Sequence, residues 1–315
     1  MGENMSKLGM ICKRIAQYIC EPWRMAVAFD QHIASIVPDR LYIKARFRLM
    51  VGYPLDLKNP TTFNEKIQWY KLYYRNPLMT YCADKYLAKE YVKKCGLNYL
   101  VTPVIDSWNK PEEIDFDQLP DECFIKCNHN SNGAIHWRRD MIGDKNRIIE
   151  KLNKLLKKNG YPANREWCYK NIKPIVFAEE MIESHDGEPL IDWNVFCFNG
   201  KPQLVLYNVG LVDKSGEHSE TAYRAAYDTQ FKYLDIDTAL ERIPEENIEK
   251  PVFWEKMLEY ASILSKPFPE VRVDFFSTDN TLRFGELTFY SSGGYSEWKP
   301  EKWGIQMGEW FVLPK

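Results

Sequence analysis

The sequence predicts an α+β fold on two observations. Residues 191–198 with 203–209, and residues 271–276 with 284–289, each read as antiparallel hairpins. Helical periodicity is interspersed with these strands, and no repeat or low-complexity tract suggests a solenoid or fibre. The chain has 315 residues, room for a large core and about two domains or subdomains.

Residues 1–80 read as mainly helical. Thr62 or Asn64 caps a helix through Tyr74 that Asn76-Pro77 ends. Residues 84–94 form a second helix, opened by Asp84-Lys85-Tyr86 and closed by Gly96. A strand over 99–104, a connection over 112–119 and a short strand over 123–127 follow. Asn128-His-Asn-Ser-Asn-Gly133 is a polar turn, in which His129 reads as a hydrogen-bonding loop residue. Residues 145–158 are amphipathic, with Ile148, Ile149, Leu152, Leu155 and Leu156 on one face. Residues 175–178 are a buried strand running into Glu179-Glu180-Met181-Ile182. Asn199-Gly200 marks the tight turn of the first hairpin. A helix over 251–265 is stopped by Pro267 and Pro269.

The second hairpin carries the chemistry. Centred near Asn280, it sets Asp274 against Glu286, Arg272 against Thr288 and Phe276 against Phe284. Val271, Val273, Phe275, Leu287 and Phe289 form the opposite, core face. Like charges directly opposed destabilise a strand pair. Two readings stand: a bound divalent cation, held by carboxylates and substrate phosphates, or a solvated polar face with Arg272 as counter-ion. Lys126 is the charged residue of an otherwise apolar strand, placed either to reach a phosphate beside the turn N–H groups or to sit at an exposed edge. The chain contains no GxxxxGK[ST] and no GxSxG motif.

Composition narrows the classes. The formal net charge is −2, which argues against a general nucleic-acid binder. Ten Trp and 19 Tyr serve a core or, where exposed, stack on sugar rings. The eight cysteines lack CxxC spacing and histidine partners, so reduced buried thiols in a cytoplasmic protein are expected. Residues 8–19 lack the continuous apolar run of a signal peptide. They suit an amphipathic helix, lying either on a membrane surface or on the chain's own core. No stretch approaches the ~20 apolar residues of a membrane span.

Taken in order, these segments resemble the ATP-grasp superfamily and, within it, the TupA-like family named for teichuronopeptide synthesis. The likeness spans roughly residues 60–314 and is carried by Thr62-Phe-Asn-Glu-Lys66, Lys126-Cys-Asn-His-Asn-Ser-Asn-Gly133, Glu166-Trp-Cys-Tyr-Lys-Asn-Ile-Lys-Pro174, Phe196-Cys-Phe-Asn-Gly-Lys-Pro202 and Gly285-Glu-Leu-Thr-Phe-Tyr290. It implies ATP clasped between two α+β subdomains, 81–178 and 179–315, with 1–80 as a helical region free for acceptor or membrane-surface contact. Lys85 and Lys126 are then the phosphate-reaching lysines, and Asn128, Ser131 and Gly133 belong to the loop over the phosphates. Glu179, Glu180, Met181 and Ile182 form the adenine hinge, and Asp192 contacts ribose. Asp274, Glu286 and Thr288 hold Mg²⁺, and Arg272 stabilises charge on the transferring phosphoryl group.

Three departures stand out. Thr288 occupies the place of a frequent metal-binding Asn, and Asn194 that of a lysine expected in close relatives. The helical N-terminus differs from the usual Rossmann-like first domain. The implied activity is an ATP-dependent carboxylate–amine ligase joining an amino acid or other amine to a carboxylate-bearing sugar or glycan in surface-polysaccharide synthesis, at the cytoplasmic side of the membrane. The alternatives are phosphoryl transfer to a sugar hydroxyl, or a glycosyl-transferring or glycan-binding protein.

Overall fold

The structure, a computed structural model, describes residues 37–130, 133–182, 190–211, 222–238, 240–244, 248–278 and 281–315. The amphipathic segment 8–19, Ser131 and the turn centre Asn280 lie outside the described residues.

The fold is α+β, built on two sheets. The smaller has four antiparallel strands: β1 (Val104–Trp108), β2 (Glu122–Cys127), β3 (Ile135–Arg138) and β4 (Val176–Glu179), in the order β1-β4-β2-β3. The helix Lys145–Leu156 covers one face. Its Ile148, Leu152 and Leu155 pack on Cys123, Ile125, Trp137 and Val176, the stripe that the 3.6-residue period selects.

The larger sheet contains β5 (Ile191–Phe198), β6 (Lys201–Val209), β7 (Tyr223–Tyr227), β8 (Glu241–Arg242), β9 (Glu270–Thr278) and β10 (Thr281–Thr288). Their order is β10-β9-β5-β6-β7-β8, antiparallel except for the β7/β8 edge. Asn199 and Gly200 take φ of 50° and 75° in the β5/β6 turn, the left-handed conformation that the Asn-Gly pair supplies. Trp193, Val195, Cys197, Val271, Val273 and Phe275 alternate onto one face, which the helix Trp254–Ser265 covers. The opposite face carries Asp274, Asp192 and Asn194 toward one end and Phe198 toward the other, with Arg272 beside Phe196 between them. Phe63, at the start of the helix Phe63–Tyr73, packs edge-on to both phenylalanines at 6.1 and 6.0 Å.

A helical region precedes the first strand, with helices Asp39–Val51, Phe63–Tyr73, Pro77–Ala83 and Leu87–Lys94. Thr62 rather than Asn64 is the cap of the second. Its hydroxyl accepts from Glu65 N at 3.3 Å, and Glu65 accepts from Thr62 N at 3.0 Å. Asn76-Pro77 ends that helix and also begins the next, because Asn76 Oδ1 accepts from Leu78 N and Pro77 gives up no needed donor. The helix expected from residue 84 begins at Leu87. Asp84 stands before it and accepts from Tyr86 N at 2.9 Å and Leu87 N at 3.0 Å.

The strand expected at 99–104 lies instead at 104–108. Residues Asn98–Leu100 close into a 3₁₀ turn through Leu100 N–Leu97 O and Val101 N–Asn98 O, and the strand starts after Pro103. The Arg272/Thr288 and Asp274/Glu286 pairings hold, but Phe276 faces Arg283, and Phe284 faces Phe275. A bulge at Gly285 shifts the register. A Cβ there would stand 3.0 Å from both Asp274 O and a Phe276 ring carbon. Strands β3 and β7 and the helix Lys302–Trp310 had no assignment from the sequence pattern.

The helix Lys302–Trp310 locks onto the start of Phe63–Tyr73 through a glycine. A Cβ on Gly308 would lie 2.0 Å from Thr61 O, and Gly308 O accepts from Lys66 Nζ at 2.7 Å. Gly308→Ala is therefore expected to destabilise the protein by about 1–3 kcal/mol, the usual penalty for overpacking. Urea unfolding checks this, and a midpoint equal to wild type would mean that the helix shifts freely.

Candidate active site

The site begins with the register of β9 and β10. Glu270, Arg272, Asp274 and Phe276 point to the same side of β9, and the pairing sets Glu286 opposite Asp274 and Thr288 opposite Arg272. Arg272 grips Asp274 through two bonds, Nε to Oδ1 at 2.7 Å and Nη2 to Oδ2 at 2.5 Å. It also donates to Ser291 Oγ at 3.1 Å and Thr288 Oγ1 at 3.2 Å. Thr288 in turn donates to Glu286 Oε1 at 2.8 Å. Lys85 Nζ stands 3.4 Å from Glu286 Oε2.

These contacts set the proton affinities. Burial raises the Asp274 carboxyl to about 6 against the opposing pull of Arg272. Burial also acts to raise Glu286, but Lys85 and Arg272 outweigh it and hold the group below its ordinary value. The surroundings of Asp274, Glu286 and Thr288 offer hard oxygen donors, two carboxylates and a hydroxyl, which suit Mg²⁺ completed by phosphate oxygens. Among the described residues no cluster of three or more His, Cys, Asp or Glu could hold a metal without such help.

A second charge cluster lies on the four-stranded sheet. Lys126 on β2 pairs with Glu179 on β4, and Lys89 Nζ reaches the other Glu179 oxygen at 2.7 Å and Thr102 O at 3.0 Å. Burial acts to raise Glu179, yet the two lysines pull it down to about 2. Lys89 was not anticipated. The only sequence signal was its spacing of four from Lys85 in the helix expected from residue 84, although Lys85 itself lies before the helix, which begins at Leu87.

Lys85 links the acidic pair to the segment just beyond β2. Its backbone N–H donates to Asn128 O at 2.9 Å while its ammonium faces Glu286. Asn128 is buried. Its side chain donates to Asp84 Oδ2 at 2.7 Å and Lys173 O at 3.0 Å and accepts from Ile175 N at 2.9 Å, so its amide is engaged within the protein. His129 is held by Lys158 O at 2.9 Å, the loop-bonding role expected of it. Gly133 takes φ 114°, and a Cβ there would meet the Leu155 side chain at 2.8 Å. Glu180 is exposed, with its N–H bonded to Pro103 O at 3.0 Å, and Met181 and Ile182 follow it half-buried.

Asp192 sits on β5 on the same face as Asp274. Burial and then Asp274 push its carboxyl well above the ordinary range. Asn194 Nδ2 donates to it at 2.6 Å. Sequence reasoning also missed the support beneath Arg272. Gln68 donates to Gly293 O at 3.0 Å and Gly294 O at 2.9 Å, and Lys71 donates to Gly293 O at 2.6 Å. Both side chains are buried on the helix Phe63–Tyr73, and no sequence pattern marks them as inward-facing polar groups.

A family model described as TupA-like ATPgrasp matches residues 65–312. No curated protein sequence matches the chain. Solved structures similar to it include D-alanine–D-alanine ligase from Bacillus anthracis complexed with ATP, at 15% identity and TM-score 0.38 over 66% of this chain and 56% of that one. L-amino acid ligase from Bacillus licheniformis aligns at 14% identity and TM-score 0.46 over 82% of this chain and 56% of that one. D-cycloserine synthetase DcsG aligns at 13% identity and TM-score 0.41 over 75% and 72%. The chain thus spans just over half the length of the first two, and these likenesses are remote.

Glu179 offers a direct test of the lysine cluster. Glu179→Gln is expected to destabilise the protein by roughly 3–5 kcal/mol at pH 7, because it leaves Lys89 buried without a counter-charge. The folded-state value of about 2 lies below the ordinary 4.5, so this carboxylate stabilises above that ordinary value and ceases to as pH falls through 2. Denaturant melts at pH 7 and pH 3 should show the gap between wild type and variant narrowing at the lower pH. A gap independent of pH would refute the ion-pair account.

Proposed function

Because the chain belongs to the TupA-like ATP-grasp family, we propose that it is an ATP-dependent carboxylate–amine ligase acting through an acyl phosphate. The observation that carries the proposal is the opposed Asp274/Glu286 pair with Arg272 and Thr288 on one sheet face, with Lys85 facing Glu286 and bonded through its backbone to Asn128, just beyond the strand that carries Lys126. In this reading residues 81–178 and 179–315 are the two halves that clasp ATP. Lys85 and Lys126 neutralise its phosphates beside the loop 128–133, which Asn128, Ser131 and Gly133 would form. Glu179 through Ile182, with Glu180 and Met181 between, line the adenine, and Asp192 contacts ribose.

Asp274, Glu286 and Thr288 would hold Mg²⁺, which when bound supplies charge neutralisation on the phosphates. A substrate carboxylate oxygen attacks the terminal phosphorus and ADP leaves. The amine nitrogen then attacks the activated carbonyl, phosphate leaves and the nitrogen sheds a proton to give the amide. Activation is needed because a carboxylate is a poor electrophile whose oxygen is a poor leaving group. Arg272 supplies a fixed positive charge toward the transferring phosphoryl group and the tetrahedral adduct.

Family membership supports a surface-polysaccharide setting, with an amino acid or other amine joined to an acidic sugar or an existing aminoacyl group. In this reading the work lies at the cytoplasmic side of the membrane, and the outer surface of the helical region up to residue 80 would meet acceptor or membrane surface. Among the described residues no helix is long and apolar enough to cross a bilayer.

ADP and phosphate are expected to form only when a carboxylate and an amine are both present, apart from slow leakage. Hydroxylamine should capture the intermediate as a hydroxamate, and Arg272→Ala should suppress that product. Phosphate transferred to the hydroxyl of a neutral sugar, without any amine, would show a kinase instead.

Asp274→Asn and Glu286→Gln should each abolish ATP turnover in a protein that still melts cooperatively, and full activity in either would remove the metal-pair assignment. Lys126→Ala should weaken ATP binding by ~1.5–3 kcal/mol, the range for charged hydrogen bonds. Calorimetry showing an unchanged affinity would remove Lys126 from the site.

A further inference from the structure

The site face holds a second guanidinium that none of these roles uses. Across β5, β6 and β7, Asp192 lies opposite Asn208, and Asn208 opposite Arg224. Across β5, β9 and β10, Asn194 lies opposite Asp274, and Asp274 opposite Glu286. Residues 192 and 194 share one side of β5, so both rows open on the same face.

A one-way hydrogen-bond chain links them. Arg224 Nε donates to Asn208 Oδ1 at 2.6 Å, Asn208 Nδ2 donates to Asn194 Oδ1 at 2.9 Å, and Asn194 Nδ2 donates to Asp192 Oδ1 at 2.6 Å. The second contact of the guanidinium is Nη1 to Thr238 Oγ1 at 3.2 Å. Both direct acceptors are neutral, and among the described residues no carboxylate forms an ion pair with Arg224.

We propose that Arg224 is a second oxyanion-binding cation of this site, holding the terminal phosphoryl group of the nucleotide together with Arg272. The inference rests on the ligase reading above. Burying a guanidinium beside another one is unfavourable unless an anion joins them. Burial and then Arg272 lower the Arg224 pKa to about 10, which still leaves it charged at neutral pH. Arg272 is claimed by Asp274, while Asp192 and Asp274 attract Arg224 only through space, so among the described residues no carboxylate engages the Arg224 guanidinium directly. A neutral donor would hold Asn208 equally well, and the charge therefore points to a ligand. Residue 194, which begins the second row, is the neutral Asn where a lysine was expected, which leaves this cationic task to β7, two strands away.

The test is calorimetric binding of two Mg²⁺ complexes, ADP and the non-hydrolysable triphosphate analogue AMPPNP, to the full chain. Arg224→Gln is expected to weaken AMPPNP at least tenfold and ADP less than twofold, with Arg224→Lys recovering part of the loss. Adding Asn194→Lys to Arg224→Gln should also recover AMPPNP affinity, because it returns a cation to the same face. Equal losses for both nucleotides, or no loss for either, would overturn the assignment and make Arg224 a structural residue. If Arg224→Gln does not melt cooperatively, Arg224→Lys decides: unchanged discrimination between the two nucleotides would count against the proposal. A wild type that binds neither nucleotide would overturn the ligase reading and this assignment with it, a result distinct from failure of Arg224 alone.

Discussion

Asp274 and Glu286 face each other across two hydrogen-bonded strands, and the rest of the site answers the repulsion this creates. Side chains so placed stand ~5 Å apart, where two unit charges repel by roughly 3 kcal/mol at an effective dielectric of 20. Arg272, two residues along the same strand, closes on Asp274 through two parallel bonds from one edge of its guanidinium. Lys85 comes from the far side, from the short link between two helices, to meet Glu286. Thr288 fits between the carboxylates as donor to one and acceptor from Arg272. Each partner lies where only the register of this hairpin makes it useful, so one shifted residue pair would scatter all of them. The Gly285 bulge protects that register by absorbing the offset between the turn and the acidic pair.

The helical region before the first strand is part of this arrangement. Beyond β10 the chain turns through Ser292, Gly293 and Gly294 with φ of 48°, 62° and 68°. A left-handed serine carries strain of about 1 kcal/mol or more, and a Cβ on Gly294 would stand 2.5 Å from the Ile67 and Gln68 side chains. The helix Phe63–Tyr73 offsets that strain. Gln68 and Lys71 satisfy the carbonyls of Gly293 and Gly294, and Lys71 also lies over the Tyr295 ring at 4.6 Å. Burial lowers Lys71 to about 7, partly countered by the Glu166 charge, so this support carries its own ionic balance. The turn holds Ser291 against Arg272, and Arg272 holds Asp274. A path of direct bonds therefore runs from a buried glutamine in the second described helix to the proposed metal pair.

What was legible in the sequence follows the range of the forces involved. The acidic hairpin could be read because strand alternation has a period of two, and a charge opposite a charge demands an explanation. Asn199-Gly200 could be read because few residue pairs accept positive φ twice in succession. The strand at 104–108 was misplaced because the backbone bonds that curl 97–101 into a turn leave no side-chain pattern. Lys89 escaped notice because its partner Glu179 is ninety residues away and only the four-stranded sheet brings them together. Arg224 escaped for the same reason: a lone arginine in a short strand means nothing until two asparagines on the next strands connect it to Asp192. Local periodicity thus revealed the carboxylates and Arg272, and long-range pairing was needed to find Lys89 and Arg224.

That asymmetry shapes how the face can receive a polyphosphate. On the larger sheet Asp192, Asp274 and Glu286, with the buried Glu270 beyond Arg272, are set among the cations Arg224, Arg272 and Lys85. Burial and then Asp274 push the Asp192 carboxyl well above its ordinary range, which weakens the acidic side of this balance. The second cluster leans the same way, with Lys89 and Lys126 sharing the single carboxylate Glu179. Lys85 is bound to Asn128 O, just beyond the strand that carries Lys126, through its backbone and faces Glu286 through its ammonium. An anion entering there meets cations from both sheets, and its negative charge offsets their mutual repulsion. The charges most exposed to that repulsion are therefore the ones a phosphate chain would stabilise most. A site assembled in this way holds its cations in place through carboxylate and amide partners, without needing the nucleotide to draw them in.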